Sequence, residues 1–303
     1  MPDLTGKIAI VTGGNSGLGL ETSARLAARG ATLVMACRDR GRAQAALEQV
    51  RRLAPHGQAE VMELDLADLA SIRRFAGEFS ARHPRLDILC NNAGVMALPL
   101  KRTKDGFEML MGTNHLGPYA LTGLLLDSLQ AAPTARVVTV ASVAHRLAKA
   151  KDLEDLNWER GPYNKARAYA RSKLANLLFA LELSRRLRQA GSPILSVAAH
   201  PGYAATNIGV GGGAQDAPVV RKLALWLGNL LFAQPAERGA LPTLCAATSP
   251  DVISGEYVGP GGLFEFRGLP VKVACTATAR DHELAARLWQ RSEELTGVRY
   301  LSA

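Results

Sequence analysis

The chain has 303 residues and 48% hydrophobic content, which marks a globular protein and argues against a disordered or collagen-like one. Its net charge of +9 raises nucleic-acid binding, but the basic residues form no block and the 5% aromatic residues form no stacking series. No nucleic-acid partner is therefore expected, and the charge would instead attract anionic cofactors.

The N-terminus, Met1-Pro2-Asp3-Leu4-Thr5-Gly6-Lys7, leads straight into Ile8-Ala9-Ile10-Val11 without a leader signature. No apolar run is long enough to span a bilayer, so a cytoplasmic protein is expected. Short β-branched runs at 7–12, 31–36, 59–64, 86–90, 135–141 and 194–199 predict strands apolar on both faces. Helical periodicities near 18–29, 40–53, 69–82, 105–131 and 165–190 lie between them. That alternation predicts an α/β fold, a doubly wound parallel sheet in a single domain spanning 1–303. Residues 5–200 would form the cofactor-binding core and 201–303 the substrate-binding excursions.

The first strand runs into Thr12-Gly13-Gly14-Asn15-Ser16-Gly17-Leu18-Gly19 and then a helix. Glycines in such a loop let backbone N–H groups approach a pyrophosphate, and the helix N-terminus adds a favourable dipole. The end of the second strand governs which dinucleotide binds. Cys37 stands where an acidic residue would hold a ribose 2′-hydroxyl, and Arg38 follows it. Arginine grips a 2′-phosphate through charge-assisted bonds, which favours NADP(H) over NAD(H). Asp39 is the competing signal, either for NAD(H) or as the cap of the next helix.

Tyr169 and Lys173 stand four apart on the helix at 165–190, on one face. An ammonium beside a phenol favours the phenolate, so the spacing predicts a tyrosine able to exchange a proton near neutral pH. Four cysteines (Cys37, Cys90, Cys245, Cys275) lack any C-x-x-C, and six histidines lack metal-ligand spacing. Free thiols and no metal site follow. His115, His145 and His200 lie near the predicted site in sequence, with the tyrosine already filling the role of base.

After residue 200 the rhythm changes. Gly209-Val210-Gly211-Gly212-Gly213 precedes an apolar stretch, 219–233, then a helix at 235–248, a strand near 255–259 and a helix at 281–296. The apolar stretch reads first as a greasy substrate wall, then as a membrane-surface helix, then as a dimer contact.

As a set these residues resemble the short-chain dehydrogenase/reductase family, from about residue 5 to 260. The Thr-Gly-x-x-x-Gly-x-Gly loop is similar to its cofactor signature, and Asn91-Asn92-Ala93-Gly94 to its Asn-Asn-Ala-Gly motif. The resemblance implies that Asn114, Ser142, Tyr169 and Lys173 form the catalytic tetrad. It also places Asp65 and Leu66, Asn92, Ala93 and Gly94, and Pro201, Gly202 and Thr206 at the cofactor. Phrases such as Asn114-His115-Leu116-Gly117, Ser172-Lys173-Leu174-Ala175-Asn176 and His200-Pro201-Gly202 resemble the retinol dehydrogenase-like group, with WW-domain oxidoreductases close by.

The activity so implied is NADP(H)-dependent interconversion of a small lipophilic carbonyl compound and its alcohol. An NAD-dependent alcohol dehydrogenase and a non-catalytic dinucleotide sensor are the alternatives. A homodimer through the helices at 105–131 and 165–190 is the candidate assembly. Ser142 and Tyr169 are 27 residues apart, and the stretch 145–164 between them reads equally as a surface loop or as a lid or substrate wall.

Overall fold

A computed structural model describes residues 1–55, 57–203 and 234–301. Thr206, the glycine-rich segment 209–213 and the apolar stretch 219–233 lie outside the described residues. The predicted strands form as β1 Ile8–Thr12, β2 Thr32–Cys37, β3 Ala59–Glu63, β4 Ile88–Asn91, β5 Arg136–Val140 and β6 Leu195–Ala199. With β7 Tyr257–Pro260 and β8 Pro270–Lys272 they make one eight-stranded sheet, ordered β3-β2-β1-β4-β5-β6-β7-β8. Every pairing is parallel except β7 with β8.

Alternate residues of each strand feed opposite cores, because successive side chains leave opposite faces of a strand. Ile10, Val34, Leu89 and Val137 pack into one apolar cluster with Phe75, Tyr119, Phe179 and Trp289. Val11, Met35, Cys90 and Val138 pack into the other with Leu26, Leu47 and Leu244. Helices therefore cover both faces. α1 Gly17–Ala27, α2 Arg40–Leu53 and α9 Leu241–Thr248 supply the second cluster, while α3 Leu69–Arg82, α7 Lys165–Gln189 and α10 His282–Thr296 supply the first. Between β1 and β4 the strand order reverses direction, the crevice where open parallel sheets bind ligands.

Three elements depart from expectation. The helix predicted over 105–131 is broken into α4 Met109–Met111, a π-helical turn Gly112–Leu116, α5 Gly117–Leu124 and α6 Leu126–Gln130. Pro118 has no N–H to give the Asn114 carbonyl, so the α-helical ladder cannot run through this point. The helix predicted over 235–248 divides into α8 Ala236–Gly239 and α9, with Pro242 in the first turn of the latter. The edge strand β8 had no prediction: it is three residues long and largely exposed, and lacks the buried face that makes a strand legible. Among the described residues, no helix is long and apolar enough to cross a membrane.

Candidate active site

The loop after β1 and the segment after β4 are tied together by one hydroxyl. Thr12 Oγ1 accepts the N–H groups of Asn92 at 3.0 Å and Ala93 at 2.9 Å, while Asn92 Nδ2 donates to the Thr12 carbonyl at 2.9 Å. Gly13 is left-handed at φ +65°, and a Cβ there would press on Ala93 at 3.1 Å. A Cβ on Gly19 would strike the Gly13 carbonyl and Asn92 Nδ2. The loop is thus a glycine cradle whose backbone lies open at the N-terminus of α1.

The capping of α1 differs from that of the other long helices. Asp39, Asp68, Asn164 and Asp281 each accept backbone N–H groups at the starts of α2, α3, α7 and α10. Ser16, the N-cap of α1, makes no side-chain cap, and the first turn holds no acidic residue. An exposed helix N-terminus without its own cap suits an anion. Gly13, Asn15, Ser16, Gly17, Leu18 and Gly19 lie here, with Asn92 and Ala93 tied to the strand end through Thr12.

At the end of β2, Cys37 is buried against the backbone N–H groups of Gly14 and Asn15, and burial pushes its thiol up to about 11. Arg38 is exposed and has no ion-pair partner among the described residues. Asp39 is committed to capping α2, accepting from the Arg42 N–H at 2.9 Å, with the Arg42 guanidinium 3.5 Å away. Asp65, just past β3, folds back on its own turn through the Ala67 N–H at 3.0 Å. Leu66 beside it is buried under Gly117, where a Cβ would lie 2.5 Å from the Leu66 carbonyl.

Farther along the same sheet edge lie the other four predicted residues. Asn114, wholly buried in the π-helical turn, accepts the Val95 N–H at 2.8 Å, and its Nδ2 donates to the Val95 carbonyl and Ser172 Oγ, both at 3.0 Å. π-Turns inside helices recur at functional sites because they re-aim a side chain without ending the helix. A Cβ on Gly94 would lie 3.3 Å from Asn114 Oδ1 and 3.5 Å from Lys173 Nζ, so Gly94 brings the two ends of the site together. Lys173 Nζ donates to the Val140 carbonyl at 3.0 Å, a carbonyl that also accepts from Asn176 Nδ2 at 3.1 Å. Ser142 opens a short 3₁₀ turn, Val143–Leu147, and its hydroxyl is in hydrogen-bonding reach of Tyr169.

The electrostatics correct one expectation. Burial raises the Tyr169 phenol and lowers the Lys173 amine to about 8. The amine sits 5.7 Å from the phenol ring centroid and is tethered to Val140, so Ser142, not Lys173, is the group that pulls the phenol down. His115 also stands apart from the site. It is sealed among Tyr119 and Phe179 with Nε2 on Ser292 Oγ at 2.9 Å, and burial lowers its pKa to about 3. His145 and His200 do flank the site, as does the Pro201-Gly202 turn, where Gln234 Nε2 donates to the Pro201 carbonyl at 2.6 Å.

Thr12 and Asn176 stand inside the sequence motifs, but their roles are not legible there, because they act through backbone carbonyls and amides that only the fold juxtaposes. The insertion 145–164 is anchored by Arg171, two residues beyond Tyr169 on the same helix. Arg171 is buried, stacks 4.6 Å over Trp158, donates to the Leu156 carbonyl at 2.7 Å and reaches Glu108 at 3.3 Å. Glu108 in turn accepts from Tyr163 Oη at 2.9 Å and caps α4. The buried ion pair holds this stretch as a fixed wall beside α7 rather than as a free surface loop.

A family profile described as short chain dehydrogenase matches residues 7–152. Retinol dehydrogenase 13 of Homo sapiens is 41% identical, over 97% of this chain and 86% of its own. Retinol dehydrogenase 14 of Mus musculus is 40% identical over the same shares, 97% and 86%. Among solved structures, an uncharacterised protein of Mycobacterium paratuberculosis is 44% identical with a TM-score of 0.81, covering 99% of this chain and 97% of that one. The RhlG/NADP active-site complex of Pseudomonas aeruginosa is 25% identical with a TM-score of 0.66, covering 84% and 94%.

Proposed function

The chain belongs to the short-chain dehydrogenases, in the retinol dehydrogenase-like group, and from that premise we propose that it is an NADP(H)-dependent oxidoreductase interconverting a hydrophobic aldehyde or ketone and its alcohol. The observation that carries this reading is the meeting of Tyr169 and Ser142 at the sheet edge, with Lys173 and Asn114 behind them. The glycine cradle and the uncapped α1 fit a dinucleotide, which when bound supplies the hydride.

In carbonyl reduction, Tyr169 Oη gives a proton to the substrate oxygen; in alcohol oxidation it takes one. Ser142 Oγ donates a hydrogen bond to that oxygen and stabilises the charge developing on it. Lys173 would hold the nicotinamide ribose, and Asn114 fixes the backbone at Val95. Asn114 also positions a water that links Lys173 to solvent. Thr12, through Asn92 and Ala93, keeps the cradle and this catalytic edge in register.

The NADP(H) preference rests on Arg38, exposed and without an ion-pair partner among the described residues, and on Asp39, whose carboxylate is already used as a cap. A charge-assisted bond to a 2′-phosphate contributes about 1.5–3 kcal/mol, roughly 10- to 150-fold in affinity. Arg38→Ala is expected to weaken NADPH by that factor and leave NADH unchanged. The direct test is oxidation of NADPH and NADH side by side against aldehydes and ketones graded from short and polar to long and apolar. NADPH-selective turnover that rises with chain length supports the reading; turnover with NADH alone contradicts the role of Arg38.

A further inference from the structure

Beyond Tyr169, the site is flanked by a knot of polar side chains, part buried and part exposed, that the proposed chemistry does not use. Glu265 lies at its centre, on the turn between β7 and β8. Its Oε1 accepts from Arg146 Nη2 at 2.6 Å, and its Oε2 lies 3.1 Å from His200 Nε2. Arg146 belongs to the 3₁₀ turn opened by Ser142. His200 ends β6 and precedes Pro201-Gly202, with its N–H on the Val258 carbonyl at 2.9 Å. One carboxylate thus joins the segment bearing Ser142 to the Pro201-Gly202 turn.

The protonation pattern is consistent with this bridge. His200 Nδ1 accepts the Gly202 N–H at 3.2 Å, so the ring proton resides on Nε2, facing Glu265. His145 Nδ1 contacts the Ser142 carbonyl at 2.7 Å and must donate to it. Both rings pack on Tyr257, at centroid distances of 5.0 Å for His200 and 5.7 Å for His145.

The knot is under tension. His145 Nε2, His200 Nε2, Tyr257 Oη and Glu265 Oε2 are buried without a well-aligned hydrogen-bond partner among the described residues. Phe264 and Glu265 are consecutive left-handed non-glycine residues, at φ +53° and +57°. Left-handed non-glycine residues and unsatisfied buried groups are each unfavourable, and such features cluster where the surrounding structure holds a functional geometry. The turn is pinned in place: Gly262 N–H donates to the Arg267 carbonyl at 2.8 Å, and Tyr203 N–H to the Phe266 carbonyl at 3.1 Å.

We propose that Glu265 is a positioning residue, a clamp that sets Ser142 against the post-β6 turn by holding Arg146 and His200 at once. This deepens the proposed oxidoreductase reading and rests on it. A partly exposed ion pair such as Glu265–Arg146 contributes little to stability, so a merely structural Glu265 would leave turnover nearly unchanged.

The test compares Glu265→Ala and Glu265→Gln in the full chain by steady-state kinetics and amide hydrogen exchange. Glu265→Ala is expected to lower kcat/KM for the carbonyl substrate at least tenfold. Exchange should quicken at least tenfold in 142–148 and in 200–203, but not in β1 or β4. Glu265→Gln keeps one acceptor oxygen and puts an NH2 where the other stood, so it can hold Arg146 or His200 but not both, and is expected to show part of the same loss, between threefold and tenfold. Unchanged exchange in the two segments of Glu265→Ala overturns the clamp whether or not a substrate has been found. Faster exchange with unchanged kcat/KM overturns the positioning role. Absence of turnover in the parent chain counts against the oxidoreductase reading alone, because exchange still decides the clamp.

Discussion

Lys173 illustrates how a residue placed for reaction works against the fold. Its amine is buried and its pKa falls to about 8, so the folded protein holds that proton less tightly than the unfolded chain, where a lysine titrates near 10.5. The unfavourable contribution is full below about pH 8, shrinks as pH rises, and is gone above 10.5. At neutral pH it amounts to roughly 3 kcal/mol. Lys173→Met should therefore raise the Tm at pH 7 by several degrees while abolishing turnover, with the gain vanishing towards pH 10.5. The Val140 carbonyl keeps Asn176 as a donor, so the variant leaves no orphan there. A lower Tm at pH 7 would contradict this. The Tyr-Lys spacing was legible because helical periodicity alone puts both on one face. The dominance of burial over their mutual attraction was not, because it depends on Val140 and Ser142 arriving from another strand.

At the scale of elements, the sequence pattern revealed the strands and long helices, whose apolar periodicities are independent of context. It could not reveal the π-helical turn that presents Asn114, since that turn arises from Pro118 and from the close approach of Gly117 to Leu66. Nor could it reveal the fixed insertion, whose anchor is a buried pair between Arg171 and Glu108, 63 residues apart. Removing one member of such a pair strands the other charge, a loss of about 3–5 kcal/mol. Arg171→Met is expected to destabilise by that amount in urea unfolding. A change below 1 kcal/mol would show that the insertion is held by something else. The phosphate cradle was legible down to its residues, whereas its attachment through Thr12 to the segment after β4 needed the fold.

For the molecule as a whole, acid should be the weak direction. Burial depresses the pKa of His115 to about 3, of His200 to about 4, and lowers that of His145. The unfolded chain binds these protons at pH values where the native state refuses them, so stability falls as pH drops below about 6.5, by up to about 1.4 kcal/mol per pH unit for each histidine. Urea unfolding between pH 7.5 and 5 is expected to show a falling midpoint, with His115→Phe and His145→Phe flattening the slope. A midpoint that holds steady across this range would contradict the buried neutral histidines.

The central claim, that Tyr169 transfers the proton, is tested most directly by Tyr169→Phe. The account predicts loss of at least a thousandfold in kcat for NADPH-dependent carbonyl reduction, with NADPH binding, followed by its fluorescence, unchanged within twofold. Turnover of Tyr169→Phe within tenfold of the parent chain would contradict it.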